Sequence, residues 1–310
     1  MQILRSLKTW IAILSVGCKV ALGQDTLTKQ HFLTNDTLFN PKKFIPISIA
    51  SGSIITAGTV YLTTSWYRNT KQTSFHWFND WPEWRQMDKV GHATTAFQFC
   101  RISDAVLKWS GCPPKTQLIV SSAVGFGLML SIEVLDGFSD KWGASYFDLA
   151  ANTAGIGLYM LNKKLFNENI ISLKMSYHDS PYAADHPDEL GKGITRYVKD
   201  YNGQTYWLTC RIKPFLNPNR TATKFIPAWL VPAIGYGAEG LIGGYGQDPI
   251  SVINAREYRQ WYLSLDIDLT AIKVKNPWLK LFLGTINFIH LPMPALEFSK
   301  KGVFFRPLYF

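Results

Sequence analysis

The chain has 310 residues, enough for one large domain or two of ordinary size. Hydrophobic residues make up 47% of the chain, so a core can form without a disulfide framework. Charged residues make up only 17%, which is below the usual share for soluble domains. The formal net charge is +10, but the basic residues are spread along the chain, and the lack of a basic stripe argues against nucleic-acid binding.

Aromatic content is high, with 11 tryptophans, and aromatic side chains account for 14% of the residues. Low charge combined with many Trp and Tyr is typical of proteins that contact a membrane, because amphipathic rings settle at the lipid–water interface. The basic excess is consistent with attraction to anionic lipid headgroups. The alternative is a soluble protein with an aromatic-rich core. Composition therefore favours membrane lipid as a partner over nucleic acid.

The first 23 residues predict a secretory signal peptide. Arg5 and Lys8 form a positive n-region, and residues 9–16 form a short apolar h-region. Small residues in Ala21-Leu22-Gly23 then precede a cleavage site that leaves Gln24 as the new terminus. Such a leader predicts export into the cell envelope.

Two alternatives to a cleaved signal remain open. Cys18 fits a lipoprotein leader, but Ser15 stands three residues before it, where such leaders carry a large aliphatic residue. An uncleaved anchor is the other alternative, and its apolar stretch is short for a membrane span. The cysteines left after cleavage are Cys100, Cys112 and Cys210, an odd number without metal-ligand spacing, so we expect no disulfide framework.

Four helices are predicted in the first half. Residues 44–67 contain no charge and are long enough for a membrane helix, with a buried or re-entrant helix as the alternative. Three further helices are expected over residues 86–109, 116–135 and 145–166, the first ended by Gly-Cys-Pro-Pro. The last carries small residues, which favour close helix packing, at Ala150, Ala151, Ala154, Gly155 and Gly157.

Period-two alternation takes over after residue 166. Strands are predicted over residues 171–177, 205–212, 261–269 and 303–310, with a helix over 278–290. The predicted fold class is α+β, an N-terminal membrane-associated helical bundle followed by a β-rich C-terminal half. The predicted division is a signal peptide (1–23), a flexible lead-in (24–43), a helical membrane-associated core (44–166) and a β-rich C-terminal domain (167–310). An outer-membrane barrel or barrel-associated module is the alternative architecture.

Polar residues gather at the ends of the predicted helices. The spacing in DKVGH and in EVLDG places pairs of polar residues within one helical turn. A hairpin of the helices over 116–135 and 145–166, with the helix over 86–109 packed alongside, would bring the groups together. The candidates for catalytic work are His92, Glu133, Asp136 and Asp148, and the accompanying polar residues are Asp88, Lys89 and Asn152. The candidate ligands of a divalent metal are His92, Glu133 and Asp136.

The same residues have structural interpretations. Asp148 follows Ser145 by three residues, as in a capping pair, and Asp88 is placed to cap the helix over residues 86–109 in the same way. Lys89 is placed to neutralise Glu133 or Asp136 as an ion pair. Against these interpretations, ionisable groups are costly inside an apolar bundle, and crowded carboxylates beside a histidine suit acid–base work.

The motif DKVGH followed by EVLDGFSDKWGASYFDLAANTAG resembles the YfiM family of predicted periplasmic lipoproteins of unknown function, over about Trp81 to Phe166. The longer layout, with KDYNGQTYWLT and GYGAEG, is similar to extended members from Bacteroidetes-type bacteria. The motif order is also similar to that of VanZ-like membrane proteins. The resemblance implies an envelope location and marks the seven polar positions above as the family's own, but it supplies no reaction.

Two functional hypotheses follow. The first is an exported, periplasm-facing and membrane-associated envelope protein that contacts lipid or an envelope protein partner. The second is a metal-dependent or acid–base enzyme acting on a lipid or lipid-linked envelope precursor. No nucleophile elbow, phosphate-binding loop or zinc-protease motif is present in the sequence.

Overall fold

The computed structural model describes residues 35–66, 71–216, 225–244 and 257–310. The N-terminal half holds α1 (Pro41–Trp66), α2 (Met87–Trp109), α3 (Pro114–Gly137) and α4 (Tyr146–Phe166). The C-terminal half holds β1 (Ile171–Tyr177), α5 (Arg196–Lys199), β2 (Gln204–Cys210), β3 (Leu230–Glu239), β4 (Tyr258–Ile267), α6 (Pro277–Ile286), β5 (Met293–Ser299) and β6 (Gly302–Tyr309). The predicted α+β fold class is confirmed. The predicted signal peptide lies outside the described residues.

Local signals explain where the helices begin and end. Gly111 follows α2 with a φ of +77°, which an L side chain rarely adopts, and Pro114 then opens α3. The lead-in was predicted to reach residue 43, and α1 begins at Pro41. The side chain of Asn40 accepts a hydrogen bond from the Lys42 backbone N–H, so the helix starts there.

The bundle packs α2 against both α3 and α4. Gly155 makes the closest approach, since a Cβ at this position would lie 2.0 Å from the Ala93 carbonyl oxygen of α2. The predicted small-residue face is therefore only partly a packing face. Ala150, Ala154 and Gly157 are exposed, and a Cβ at Gly157 would meet nothing within 4 Å.

The six strands form one antiparallel sheet in the order β1-β2-β3-β4-β5-β6, so each strand pairs with its neighbour in the chain. The predicted helix over 278–290 is shorter than expected. It ends at Ile286 because the following residues pair with β1 instead: Met175 donates to the Phe288 carbonyl, and His290 donates to the Met175 carbonyl. This pairing brings His290 to the edge of the sheet.

The two faces of the sheet have the reverse of the usual polarity. One face presents Leu208, Ile234, Leu263, Leu296 and Phe305, which are partners in one continuous row across five strands, and all five are exposed. The opposite face is buried, and it combines charged and polar side chains with a cluster that includes Trp207 and Tyr262. The alternation predicted around residues 261–269 is present, but its apolar side faces outward.

Ion pairs and hydrogen bonds fill the buried face. The Nζ of Lys174 on β1 lies 2.6 Å from Asp266 of β4, and His290 lies 3.2 Å from the same carboxylate. The ring of His290 stacks on Trp207. Thr205 of β2 hydrogen-bonds Tyr309 of β6 at 3.0 Å, which requires the sheet to curl around its polar side. Closure into a barrel stays a prediction.

The helical bundle covers one end of the outer sheet face. Met87 and Val90 of α2 pack with Tyr206 and Tyr236, and a Cβ at Gly91 would lie 2.7 Å from the Tyr206 hydroxyl. The contact joins the start of α2 to β2 and β3. It also places the first turn of α2, where the polar motif begins, beside the C-terminal half.

Candidate functional site

Lys89, in the first turn of α2, is the centre of a buried polar cluster. Its Nζ lies 2.6 Å from Asp80, 2.8 Å from Asp88 and 2.7 Å from Asp148, and the residue is 5% exposed. One ammonium therefore joins the segment before α2 to the first turns of α2 and α4. We call Lys89 and the three aspartates that contact it, Asp80, Asp88 and Asp148, the lysine cluster.

Ser145 explains why the Asp148 side chain is directed to Lys89. The Ser145 hydroxyl caps α4 by accepting hydrogen bonds from the backbone N–H groups of Phe147 and Asp148, and it donates to Asp80. The carboxylate of Asp148 is thus not the cap. In α2, similarly, Asp88 is not a cap, because its carboxylate contacts Lys89 and accepts from the Tyr201 hydroxyl at 2.6 Å.

His92 lies one turn further along α2 and forms the second part of the site. Its Nδ1 lies 3.2 Å from the Asn152 side-chain oxygen and 3.3 Å from Glu133 Oε1, while Nε2 lies 3.7 Å from Asp88. Glu133 Oε2 accepts from the Ser145 backbone N–H at 3.1 Å. The structure thus brings together side chains from α2, α3 and α4, as the spacing of the motifs predicted.

Asp136 and the ion-pair partners of Lys89 differ from the sequence interpretation. Lys89 pairs with three aspartates rather than with Glu133 or Asp136. Asp136 lies near enough to Glu133 to raise the pKa of that residue. Its backbone oxygen accepts from Phe138 and Ser139, which ends α3.

Sequence reasoning missed two members of the site. Asp80 lies in the loop before α2, where no periodicity marks it, although Trp81-Pro82 after it indicates a fixed turn. Tyr201 is 113 residues away from Asp88 along the chain. It belongs to KDYNGQTYWLT, in which only the strand from residue 205 was predicted, and it lies in the turn that precedes β2. Only the tertiary fold brings Asp80 to Lys89 and Tyr201 to Asp88.

Charge balance shifts the pKa values in the lysine cluster. Burial raises the pKa of Asp88, but the charges of His92 and Lys89 outweigh burial and lower it below its ordinary value. Burial lowers the pKa of Lys89, and the surrounding aspartates outweigh this and raise it. The pKa of Asp148 is raised by burial, by the charge of Asp88 and by a hydrogen bond with Asp80. The pKa values of Asp88 and Asp148, which share the Lys89 ammonium, are therefore shifted in opposite directions.

Glu133 has a separate environment from the lysine cluster. Burial raises its pKa to about 7, with smaller contributions from Asp136 and Asp88, although His92 and the Ser145 N–H act in the opposite direction. Among the described residues its Oε1 has no hydrogen-bond partner, and neither does Asn152 Nδ2. A carboxyl that titrates near neutrality beside an imidazole is able to hold or pass a proton.

A divalent metal fits this site only with rearrangement. Within the described residues, Asp88, His92 and Asp148 offer ligand atoms that lie within 4.8 Å of one another. This group shares only His92 with the metal ligands predicted from sequence. Both aspartates already contact the Lys89 ammonium at 2.7–2.8 Å, so a cation would have to displace that ammonium. The donor set itself is one that several divalent ions accept.

Residues 76–164 match the model of a family described as "Predicted periplasmic lipoprotein (DUF2279)". The match covers α2, α3 and all but the last two residues of α4, and it contains the lysine cluster, His92, Glu133 and Asn152. A search of curated proteins and a search of solved structures returned no match.

The resemblance to predicted periplasmic lipoproteins is thus confirmed over the helical segment. That description supports an exported, envelope-associated location, and it includes no reaction. The leader with Cys18 lies outside the described residues. The segment that holds the site is therefore similar to a family of predicted periplasmic lipoproteins, exported proteins of the cell envelope.

Proposed function

We propose that this protein is a periplasm-facing envelope protein seated against a membrane, with the exposed apolar face of its sheet in contact with lipid acyl chains. The observation that carries the proposal is the reversed polarity of the six-stranded sheet. In a soluble protein the buried face of a half-exposed sheet is the apolar one. Here the lysine, aspartate and glutamine side chains are buried and the leucine side chains are exposed.

The size of the apolar face supports lipid as its partner. The row from Leu208 to Phe305 crosses five strands, and a second row adds Trp261, Phe298 and Val303 beside it. An exposed apolar surface that continues over several strands marks an interaction site rather than ordinary surface. Strands that place apolar side chains outward and polar side chains inward are the pattern found where a sheet meets lipid.

Two helices carry further exposed apolar surface. By length and composition α3 is able to cross a membrane, and only 22% of its apolar window is buried. A single helix of this kind is weak evidence, because the core helix of a soluble protein can be equally long and apolar. Such a core helix is mostly buried, however, and α3 is not. On α6 the large side chains Trp278, Leu281 and Phe282 are all exposed. The exposed apolar side chains of both helices thus favour contact with lipid, as those of the sheet do.

A spin label on the apolar face tests the proposal. We would replace Leu263 by Cys in a Cys210→Ala background, because Cys100 and Cys112 are buried. On addition of vesicles the label at position 263 should collide more often with oxygen, which concentrates in lipid, and less often with a water-soluble nickel chelate. A label at Asp188, whose side chain is 85% exposed, is the matched control and should stay accessible to the chelate.

Two other results would contradict contact between the apolar face and lipid. If the mature protein stays in the soluble fraction with vesicles, and the label at position 263 remains accessible to the chelate, the face does not contact lipid. Shielding of position 263 that appears only with an envelope protein would assign the face to that partner.

Acid–base catalysis is a second candidate function, favoured by the contact between His92 and Glu133. The two side chains lie 3.3 Å apart, and the pKa of Glu133 is raised to about 7 by burial. The substrate would be a lipid-linked envelope precursor that reaches the cluster from the membrane. The test is complementation of a deletion strain, with the exposed Glu168→Gln as the control. If Glu133→Gln and His92→Ala both rescue the deletion phenotype as fully as this control does, the catalytic function is wrong.

A further inference from the structure

A basic groove lies at one end of the apolar sheet face. It has a volume of about 490 Å³ and is formed where the turn before α2 meets the ends of β4 and β5. Its cationic side chains are Arg85, Arg259 and Lys300, and its apolar side chains include Trp261 and Phe298. The groove is thus positive at one side and continuous with the apolar face at the other.

Positive charge exceeds negative charge in this groove. Glu257 is the carboxylate among its lining residues, and it accepts a hydrogen bond from Arg85 Nε at 2.9 Å. Lys301 lies next to the groove with its Nζ 4.4 Å from the centre of the Tyr258 ring. The described lining therefore retains a net positive charge after the Arg85–Glu257 pair is formed, as an anionic ligand requires.

The apolar part of the groove belongs to the proposed lipid-contacting surface. Trp261 and Phe298 are directly opposite each other on β4 and β5, and Val303 continues the row on β6. Leu263 follows Trp261 on the same face of β4, one repeat further from the groove. An amphiphile with an anionic head in the groove would therefore have its chains along β4, with Trp261 at the interface, where tryptophan is favoured.

The turn that presents Arg85 is held in an uncommon conformation. Trp84, Arg85 and Gln86 have φ values of 48°, 51° and 64°, in the left-handed region that non-glycine residues rarely adopt. Contacts with β3 and β4 hold the turn in place, since the Tyr236 hydroxyl donates to the Arg85 carbonyl and Arg259 donates to the Gln86 side chain. Because Arg259 also donates to the Tyr236 hydroxyl at 3.1 Å, these contacts join the backbone of Arg85 to the side chain of Arg259.

We propose that this groove binds the phosphate headgroup of an anionic phospholipid whose acyl chains lie on the apolar sheet face. The proposal rests on the proposed membrane seating and names the lipid class that the same surface recognises. Arg85, Arg259 and Lys300 supply the positive charge and hydrogen-bond donors for the phosphate. Trp261 and Phe298 contact the glycerol backbone and the first methylene groups.

Vesicle flotation of the mature protein tests the proposal. We compare vesicles of phosphatidylcholine alone with mixed vesicles that also contain phosphatidylglycerol. The protein should prefer the mixed vesicles, and Arg85→Gln/Lys300→Gln should reduce that preference by about 30-fold, because each of the two basic residues near an anionic surface strengthens binding roughly fivefold. The control Lys192→Gln/Arg196→Gln removes the same charge at residues that do not line the groove and should leave the preference unchanged.

Each other outcome has a distinct meaning. Flotation with neither vesicle would overturn the membrane seating and this proposal together. Equal binding to both vesicles, or equal losses in the two double variants, would overturn the headgroup site alone. Competition by glycerol phosphate as strong as that by the phospholipid would assign the groove to a soluble phosphate. Arg259→Gln is a second variant on another strand, and its melting temperature shows whether a lost preference reflects lost folding.

Discussion

Lys174 of β1 and Asp266 of β4 form an ion pair 2.6 Å long, and neither side chain is more than 1% exposed. The two strands are not neighbours in the sheet, so the pair reaches across the inside of its curl. Lys174 also donates to the Ile267 carbonyl at 3.0 Å and to Asn287 at 3.2 Å. These bonds compensate a buried ammonium that would otherwise be very unfavourable.

Removal of the lysine should therefore leave an uncompensated charge. We expect Lys174→Met to lower the free energy of unfolding by about 3–5 kcal/mol, because Asp266 stays buried without its main counter-charge. Adding Asp266→Asn should recover part of that loss, and chemical denaturation of the single and double variants measures the coupling. Lys192→Met removes an exposed pair and should have no measurable effect. If the losses in Lys174→Met and Asp266→Asn simply add up in the double variant, the two side chains are not coupled.

Glu133 should make stability depend on pH. Its pKa of about 7 in the folded protein lies above its ordinary value of 4.5, so the folded chain retains a proton that the unfolded chain releases. This contribution is fully present below about pH 4.5 and is lost as the pH rises through 7, a fall of roughly 3 kcal/mol. Glu133→Gln should lack that fall, so the difference in free energy of unfolding between the native protein and the variant should change by this amount as the pH rises. The measurement covers roughly pH 4 to pH 8, a range that includes both pKa values of Glu133. Parallel plots of the free energy of unfolding against pH for the two proteins would contradict the prediction.

Two glycines of α4 provide a matched pair. At Gly155 an added methyl group would overlap the Ala93 carbonyl of α2, so Gly155→Ala should cost about 1–3 kcal/mol as the helices separate. At Gly157 the space is open, and Gly157→Ala should stabilise the protein by ~1 kcal/mol through helix propensity. Thermal unfolding of the two variants is sufficient for the comparison. The same sign of change in both variants would mean that α2 and α4 are not in contact at Gly155.

Lys89 should determine whether the site accepts a metal. In the native protein the ammonium lies between Asp88 and Asp148, so added manganese should leave the melting temperature unchanged. In Lys89→Met the aspartates lose that partner, and manganese at ~100 times its dissociation constant should restore about 2.7 kcal/mol. The control is Lys89→Met with His92→Ala, which removes one ligand. A manganese shift in the native protein would instead favour a metal-dependent enzyme.

The sequence predicted half of the site because that half depends on helical spacing. Asp88 and His92, and likewise Asp148 and Asn152, stand four residues apart, so their placement on one helical face follows from the period of the helix. Asp80 and Tyr201 were missed because they lie in loops, where side-chain direction is decided by tertiary packing. The choice of Lys89 partners was wrong for the same reason.

The strands show a different limit of sequence reasoning. Alternation around Trp261 and Leu263 predicted a strand with an apolar and a polar face. It did not show which face is buried, since a period of two is the same whether water or lipid covers the apolar side. The buried position of Asp266 is decided by Lys174, which is 92 residues earlier in the chain and was not predicted to be its partner.

The order of the strands has a consequence for how the chain folds. Because every strand pairs with the next one in the chain, the sheet is able to grow hairpin by hairpin through local contacts, which favours rapid assembly. The Lys174–Asp266 pair and the Thr205–Tyr309 bond join residues far apart in the chain, so the loops between them must close first. We therefore expect these two contacts to form after the transition state, so that Lys174→Met accelerates unfolding and leaves the folding rate almost unchanged.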